Sequence, residues 1–206
     1  VNERMAQAKA EKRPLYYTVL AASGDPKALA AIQEGFHNGT GEARNQAFDA
    51  LLMWDGPETS DVLYSILTSS DSSAYFDRSL TAYIRLAGSS KLTPENRVIG
   101  LRKAMEVAKT PEQQNSIIKQ IEKTGTFTAL MFAGQYLDES SVQQSAAQAV
   151  MNIALSHKEF TGSAVRKLLE KTSSVLDNPD AGYQREAIRK HLAEMPAGEG
   201  FVSLFN

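Results

Sequence analysis

Apolar residues recur along most of this chain at spacings of three and four residues, which place them on one face of a helix. The clearest stripe has the spacing i, i+4, i+7, i+8 and i+11 and consists of Phe76, Leu80, Tyr83, Ile84 and Ala87. Two other segments share that spacing: Ala43, Ala47, Ala50, Leu51 and Trp54, and Val142, Ala146, Ala149, Val150 and Ile153. Each stripe therefore predicts an amphipathic helix, and no strand is predicted before the last few residues.

Proline and glycine mark the predicted helix boundaries. Proline suits the first helical position because its missing N–H would be unpaired there anyway. The prolines predicted to start helices are Pro26, Pro57, Pro94, Pro111 and Pro179. Glycine closes a helix readily because it adopts the left-handed conformation without a Cβ clash. The glycines predicted to end helices in this way are Gly24, Gly39, Gly88 and Gly125.

A two-helix unit recurs with a period of about 30 to 40 residues. Residues 42–51 (EARNQAFDAL) have the same pattern as residues 141–150 (SVQQSAAQAV). Each segment follows a shorter apolar helix and a polar turn. Both segments resemble HEAT-like repeats, in which no unit buries its apolar face alone. The fold class expected is all-α, a right-handed α-solenoid of about five HEAT-like helix pairs.

The helix pattern divides the chain into three predicted regions. Residues 1–24 form an N-terminal helical segment, residues 25–197 the repeats, and residues 198–206 a linker with the truncated start of a following domain. The predicted pairs cover residues 25–55, 56–90, 92–125, 126–158 and 160–197. The third and fifth pairs match the pattern least well.

Composition narrows the function classes only moderately. The 206 residues carry a net charge of −2, which gives no basic excess for nucleic acid. Cysteine is absent, so disulfides and thiolate metal sites are excluded. No apolar run reaches the ~18–20 residues that a membrane-spanning helix needs. The chain starts with Val and lacks a signal-peptide pattern, so it is interpreted as a mature form or an excised segment.

The titratable residues do not form a recognisable reaction centre. The histidines His37, His157 and His191 have no second histidine three or four residues away, and the carboxylates are scattered along helices and turns. His37 and His157 are placed at helix C-termini, where a partly cationic ring suits the helix dipole. The sequence thus predicts no catalytic, cofactor-binding or metal site.

A surface-contact role is the remaining possibility for a few side chains. Trp54 ends the stripe of its helix, so its ring is expected to be only partly covered and able to contact a ligand. Outward positions of the second helices carry Arg44, Asp77, Gln143 and Gln184. The predicted contact residues are Trp54, Arg44, Gln143, Gln144, Gln148 and Asn152. The last four form a neutral amide-rich strip able to bond sugar hydroxyls or a partner backbone, although a plain solvated face is the alternative.

The tail carries a more specific resemblance. Residues 198–206 (GEGFVSLFN) resemble the opening strand of the bacterial 3-keto-disaccharide hydrolase family, whose fold is related to jelly-roll glucanases. The helical region is similar to one found upstream of that domain in exported proteins of Bacteroidetes and planctomycetes, notably at residues 101–105 and 136–138. The resemblance implies a periplasmic or secreted location, and no active-site residue of the family is present to be carried over.

The expected function follows from these two resemblances. The leading interpretation is a non-catalytic interaction or scaffold region of a larger exported hydrolase that acts on glycans. One alternative is a direct carbohydrate-binding module, and another is a scaffold that docks an envelope protein. The expected partner is a protein or the adjoining catalytic domain, with a glycan as a further possibility. No cofactor, nucleic acid or transmembrane segment is expected.

Overall fold

The computed structural model of the protein describes residues 2–8, 10–24, 26–69 and 74–196, and in these ranges the chain is all-α without strands. The α-helices are α1 (Asn2–Gln7), α2 (Tyr17–Ser23), α3 (Pro26–Asn38), α4 (Gly41–Met53), α5 (Ser60–Thr68), α6 (Phe76–Ala87), α7 (Pro94–Val107), α8 (Pro111–Glu122), α9 (Phe127–Gly134), α10 (Gln143–Ser156), α11 (Ser163–Val175) and α12 (Ala181–Glu194). Two short 3-10 helices cover Ala10–Tyr16 and Pro57–Thr59.

The chain divides into two compact units, Val1–Ala87 and Gly88–Asn206. In the first unit α3 packs against α4 and α5 packs against α6, so that helices adjacent in sequence form pairs. Helix α2 packs against both α3 and α4, which covers the first pair with the predicted N-terminal segment. The predicted stripes of α4 and α6 face this core, where Ala47, Leu51 and Leu80 are almost completely buried.

Helices α4 and α6 of the first unit, with the residues next to their ends, are joined by polar contacts in a nearly constant register. The pairs are Tyr75 with Asn45 at 3.2 Å, Arg78 with Asp49 at 2.7 Å, and Arg85 with Asp55 at 3.2 Å. The partners lie 30, 29 and 30 residues apart, respectively. This separation agrees with the repeat period predicted from the sequence.

The second unit contains three helix pairs: α7 with α8, α9 with α10, and α11 with α12. Helix α10 also contacts both α8 and α12, so the second helices of the three pairs are neighbours. The predicted stripe of α10 is buried from Val142 to Ile153. Its alanines, Ala146 and Ala149, are fully buried and allow the adjacent helices to approach closely.

Most predicted helix starts are confirmed. Helices α3, α7 and α8 begin at Pro26, Pro94 and Pro111, while Pro57 begins a 3-10 helix. At α8 the hydroxyl of Thr110 accepts the backbone N–H of Gln113, whose side chain in turn accepts the N–H of Thr110, a capping box. The predicted helix start at Pro179 is wrong, because α12 begins at Ala181. The N–H of Asp180 bonds the side chain of Asn178 instead, which holds residues 178–180 in a turn.

The predicted helix ends at Gly24, Gly39, Gly88 and Gly125 are confirmed, since a helix ends within three residues before each of them, but only two of the four are left-handed. Gly24 and Gly125 both have φ of 64° and follow the last turn of a helix. Gly39 is not left-handed, although its N–H bonds the carbonyl of Gly35 at 3.0 Å. The nearby left-handed residue is Gly41, with φ of 54°. Gly88 is not left-handed either. The strand expected in the final residues lies outside the described part of the chain.

Candidate functional site

Three of the predicted contact residues share one face of α10. Gln144, Gln148 and Asn152 are four residues apart, so that their side chains follow one another along the helix. Gln144 is exposed, and the other two are half-buried between α8 and α12. The structure therefore brings the predicted amide strip into contact with two neighbouring helices.

The side chains on this face form a continuous chain of hydrogen bonds, here called the amide chain. Asn178 donates from Nδ2 to Oε1 of Gln184 at 2.9 Å, and Gln184 donates from Nε2 to Oε1 of Gln148 at 3.1 Å. Gln148 donates from Nε2 to Oδ1 of Asn152 at 3.0 Å. Asn152 donates from Nδ2 to Oε1 of Glu122 at 2.7 Å. The amide chain thus runs from the turn before α12, across α12 and α10, to the end of α8.

Both ends of the amide chain impose the same direction on it. An ionised carboxylate only accepts hydrogen bonds, so Glu122 requires Asn152 to present its NH₂ group. At the other end Oδ1 of Asn178 accepts the backbone N–H of Asp180 at 2.9 Å, which turns its own NH₂ group toward Gln184. The orientation of every amide between these ends follows, because each must accept from one neighbour and donate to the next.

A groove of about 390 Å³ lies along the amide chain. Helix α8 contributes Lys119 and Glu122, α10 contributes Gln144, Ser145 and Gln148, and the α12 side contributes Asn178, Pro179, Asp180 and Gln184. We call this the amide groove. A smaller cavity of about 220 Å³ is lined by Glu122, Asn152 and His157, among others, and shares Glu122 with it. The volume of the amide groove lies in the range of small-ligand sites, which is ~300–1,000 Å³.

Gln144 binds a stretch of peptide backbone at the edge of the amide groove. Its Nε2 donates to the carbonyl of Val175 at 2.8 Å, and its Oε1 accepts the N–H of Asp177 at 3.0 Å. The amide therefore bonds the backbone on both sides of Leu176. Gln143 has a different role, because its Nε2 donates to the carbonyl of Leu137 at 2.6 Å and so ties the preceding turn to α10.

The prediction that the ring of Trp54 is only partly covered is wrong. The side chain is 1% exposed, and its Nε1–H donates to Oε1 of Glu58 at 2.6 Å. The chain bends at Gly56, between α4 and the 3-10 helix that carries Glu58, and there the Glu58 carboxylate accepts the indole N–H. Trp54 is consequently a core residue of the first unit, and its ring face is closed to a ligand.

Arg44 also has an intramolecular role. Its guanidinium carbon lies 4.8 Å from the ring centroid of Phe36 and 5.3 Å from that of Tyr75. Such stacking on aromatic faces is favourable for a guanidinium. Arg44 is half-buried on the first unit, whereas the amide residues belong to the second.

The surroundings of the histidines indicate structural roles. His37 lies in the last turn of α3 and His157 follows the last turn of α10, as predicted. The His157 ring stacks on Phe160, with centroids 4.7 Å apart, and its Nδ1 lies 3.0 Å from Oε1 of Glu159. The pKa of Glu159 is lowered by hydrogen bonds from its own backbone N–H and from His157. Burial lowers the pKa of His191.

Sequence reasoning missed Glu122, Asn178 and Lys119 as members of this site. In the sequence, Glu122 is only one of the carboxylates scattered along helices and turns. The contact of Glu122 with Asn152 could have been predicted from the sequence, since the two residues are 30 positions apart, close to the repeat period. Comparison of polar positions one period apart identifies this pair and also Gln148 with Gln184, which are 36 positions apart.

Among the described residues, no group of three or more histidine and carboxylate side chains is arranged to hold a metal ion. The helices described are all too short or too polar to cross a membrane. No model of a known protein family matches this chain, and no curated protein matches its sequence.

Proposed function

We propose that this chain is a non-catalytic interaction region built from HEAT-like repeats, part of a larger exported bacterial hydrolase that acts on glycans. In this proposal residues 25–197 form a right-handed α-solenoid, and the second helices of its pairs present the contact surface. The protein that carries it is periplasmic or secreted. Its partner is another protein or the adjoining catalytic domain.

The amide groove is the observation that carries the interaction role. Three successive second helices, α8, α10 and α12, contribute side chains to one connected polar surface. Fixing five side chains in one chain of hydrogen bonds costs conformational entropy. A surface that only faces solvent does not require that order, whereas a binding surface benefits from side chains that are already oriented.

The repeat architecture has separate support. Polar contacts join second helices at separations of 29 and 30 residues in the first unit, and of 30 and 36 residues in the second. Neighbour-only contacts between equivalent helices are typical of solenoids. The link to glycan hydrolysis rests on the tail, whose residues Gly200 to Asn206 resemble the start of the 3-keto-disaccharide hydrolase domain.

A longer protein tests the parental activity. The chain is expressed together with the residues that follow Asn206 in its gene, and turnover of disaccharides and of 3-keto-glycosides is measured. We expect turnover in the longer protein and none in the 206-residue chain. A continuation without such a domain, or a folded domain that is inactive toward the whole panel, would contradict the proposal.

Direct carbohydrate binding is the second candidate, and the amide groove favours it as well. Its oriented amides each carry a donor and an acceptor that are able to bond vicinal hydroxyls. Trp54 no longer supports this role, because its ring is buried. Oligosaccharide binding would therefore shift the side-chain amide NMR signals of Gln148 and Gln184 and leave Trp54 fluorescence unchanged.

A further inference from the structure

The amide chain leaves a defined set of hydrogen-bonding groups for a ligand. A carboxamide has two N–H donors and two acceptor lone pairs. Gln148 uses one donor on Asn152 and one acceptor on Gln184. Gln184 likewise uses one donor on Gln148 and one acceptor on Asn178. Each of these amides thus retains one donor and one acceptor, in an order fixed by Glu122 and Asn178.

Gln144 shows how an amide on this face recognises a peptide. Its two hydrogen bonds to the carbonyl of Val175 and the N–H of Asp177 pair it with backbone groups two residues apart. Gln148 lies one helical turn further along the same face and carries the same groups. An extended chain placed along the groove would meet Gln148 and Gln184 with carbonyl and N–H groups in the same way.

The charges at the groove favour one end over the other for a cationic group. Asp180 is exposed at the α12 end, and among the described residues its carboxylate has no hydrogen-bond or ion-pair partner. At the α8 end the Glu122 carboxylate already accepts from Asn152, and Lys119 also lines the groove there. A basic side chain of a ligand would therefore pair with the carboxylate of Asp180.

We propose that the amide groove binds an extended peptide segment through its backbone, with a basic side chain of that segment at Asp180. This inference names the partner class for the interaction role proposed above and rests on that role. Neighbouring helix axes lie ~8–10 Å apart, so a segment that crosses from α8 to α12 spans ~16–20 Å. At ~3.3 Å per residue this corresponds to five or six residues of extended chain.

The test starts from a phage-displayed library of random ten-residue peptides selected on the full 206-residue chain. Enriched peptides are synthesised, and their affinities are measured by calorimetry for the unchanged protein and for Gln148→Ala and Gln184→Ala. Gln135→Ala is the matched control, because Gln135 is an exposed glutamine of the same unit outside the groove. Loss of about two hydrogen bonds predicts roughly tenfold weaker binding in each groove variant and less than about a twofold change in the control.

N-methylation separates backbone recognition from side-chain recognition. We expect methylation of one central peptide nitrogen to weaken binding at least about fivefold, since it removes a donor, while alanine at the central side chains has less effect. Asp180→Lys is expected to abolish the preference for basic peptides, and it leaves the side chains of the amide chain unchanged. This variant therefore still tests the proposal if an amide variant unfolds.

The inference is overturned if no enriched peptide distinguishes the groove variants from the control, or if binding tolerates every N-methylation. It is also overturned if cellobiose or chitobiose, and not peptide, shifts the side-chain signals of Gln148. These outcomes leave the parental activity unaffected, because that activity is measured separately on the longer protein.

Discussion

Asn152 donates a hydrogen bond from Nδ2 to Oε1 of Glu122 across 2.7 Å, although the two residues lie 30 positions apart and on different helices. This bond joins α10 to α8 and ends the amide chain on a carboxylate. Both side chains are half-buried, so the charge is neither fully screened nor strongly desolvated. The contact therefore stabilises the pairing of the two second helices and also orients the amides that follow.

A double-mutant cycle measures this contact. Glu122→Ala and Asn152→Ala are each expected to lower the free energy of unfolding by about 1 kcal/mol, as for a typical net hydrogen bond. The double variant should lose less than the sum, because both substitutions remove the same bond. Urea unfolding followed by circular dichroism gives the values, and strictly additive losses would show that the bond does not contribute.

Trp54 and Glu58 provide a second prediction, in the first unit. Glu58→Ala leaves the indole N–H of Trp54 buried without its acceptor, which costs ~1–3 kcal/mol. Glu58→Gln keeps an acceptor oxygen at the same position and should cost clearly less. Thermal unfolding distinguishes the two variants. Equal losses in both would indicate that packing, not the hydrogen bond, determines the stability here.

The same residues show what the sequence predicts and what it does not. The stripe that ends at Trp54 correctly places its side chain on the core face of α4. The burial of its ring involves Glu58, which lies beyond α4 and accepts the indole N–H, and the helical period of α4 does not describe that residue. Likewise, the amide strip of α10 is evident from Gln144, Gln148 and Asn152. Its extension to Glu122 and Asn178 arises only when α8 and α12 pack beside α10, because a single carboxylate on a helix has the pattern of a solvated residue.

Two glycines in helices are expected to respond in opposite ways to alanine. A Cβ at Gly35 in α3 would lie 2.2 Å from the hydroxyl oxygen and 2.6 Å from Cζ of Tyr17, whose side chain is buried. Because an aromatic ring cannot bend away, Gly35→Ala should lower the free energy of unfolding by ~1–3 kcal/mol. Gly182 in α12 has nothing within 4 Å of its Cβ position. Gly182→Ala should raise the free energy of unfolding by ~0.4–1 kcal/mol, since alanine restricts the unfolded chain and favours the helix. Equal melting temperatures for the two variants would contradict the predicted packing.

His191 gives the protein a predicted sensitivity to mild acid. Burial lowers its pKa from the usual 6.5, with a smaller opposing effect of Glu194 and a smaller lowering effect of Lys158. The unfolded chain therefore binds the proton more readily than the folded one as the pH falls below about 6.5, and this favours unfolding. The stability contribution of the neutral ring is fully present above that pH and is lost toward the lower folded pKa.

Replacement of His191 by Gln removes this titration. The unfolding free energy of His191→Gln should change less between pH 7 and pH 5 than that of the unchanged protein. The carboxylate of Glu159 titrates at lower pH because its pKa is lowered, so its contribution declines in a separate range below about 4.5. Parallel stability curves from pH 7 to pH 5 would show that His191 is not the responsible group.

Gln144 allows a local test of backbone recognition by an amide on α10. Its Oε1 accepts the N–H of Asp177 in the turn after α11, and no second bond to that N–H is present among the described residues. Gln144→Ala should therefore accelerate hydrogen exchange at the Asp177 amide by about five- to tenfold, through loss of protection worth ~1–1.4 kcal/mol. Gln143→Ala is the matched control, because Gln143 bonds Leu137 and should leave exchange at Asp177 unchanged. If both variants accelerate exchange equally, the turn is opening as a whole, and the bond from Gln144 is not what protects it.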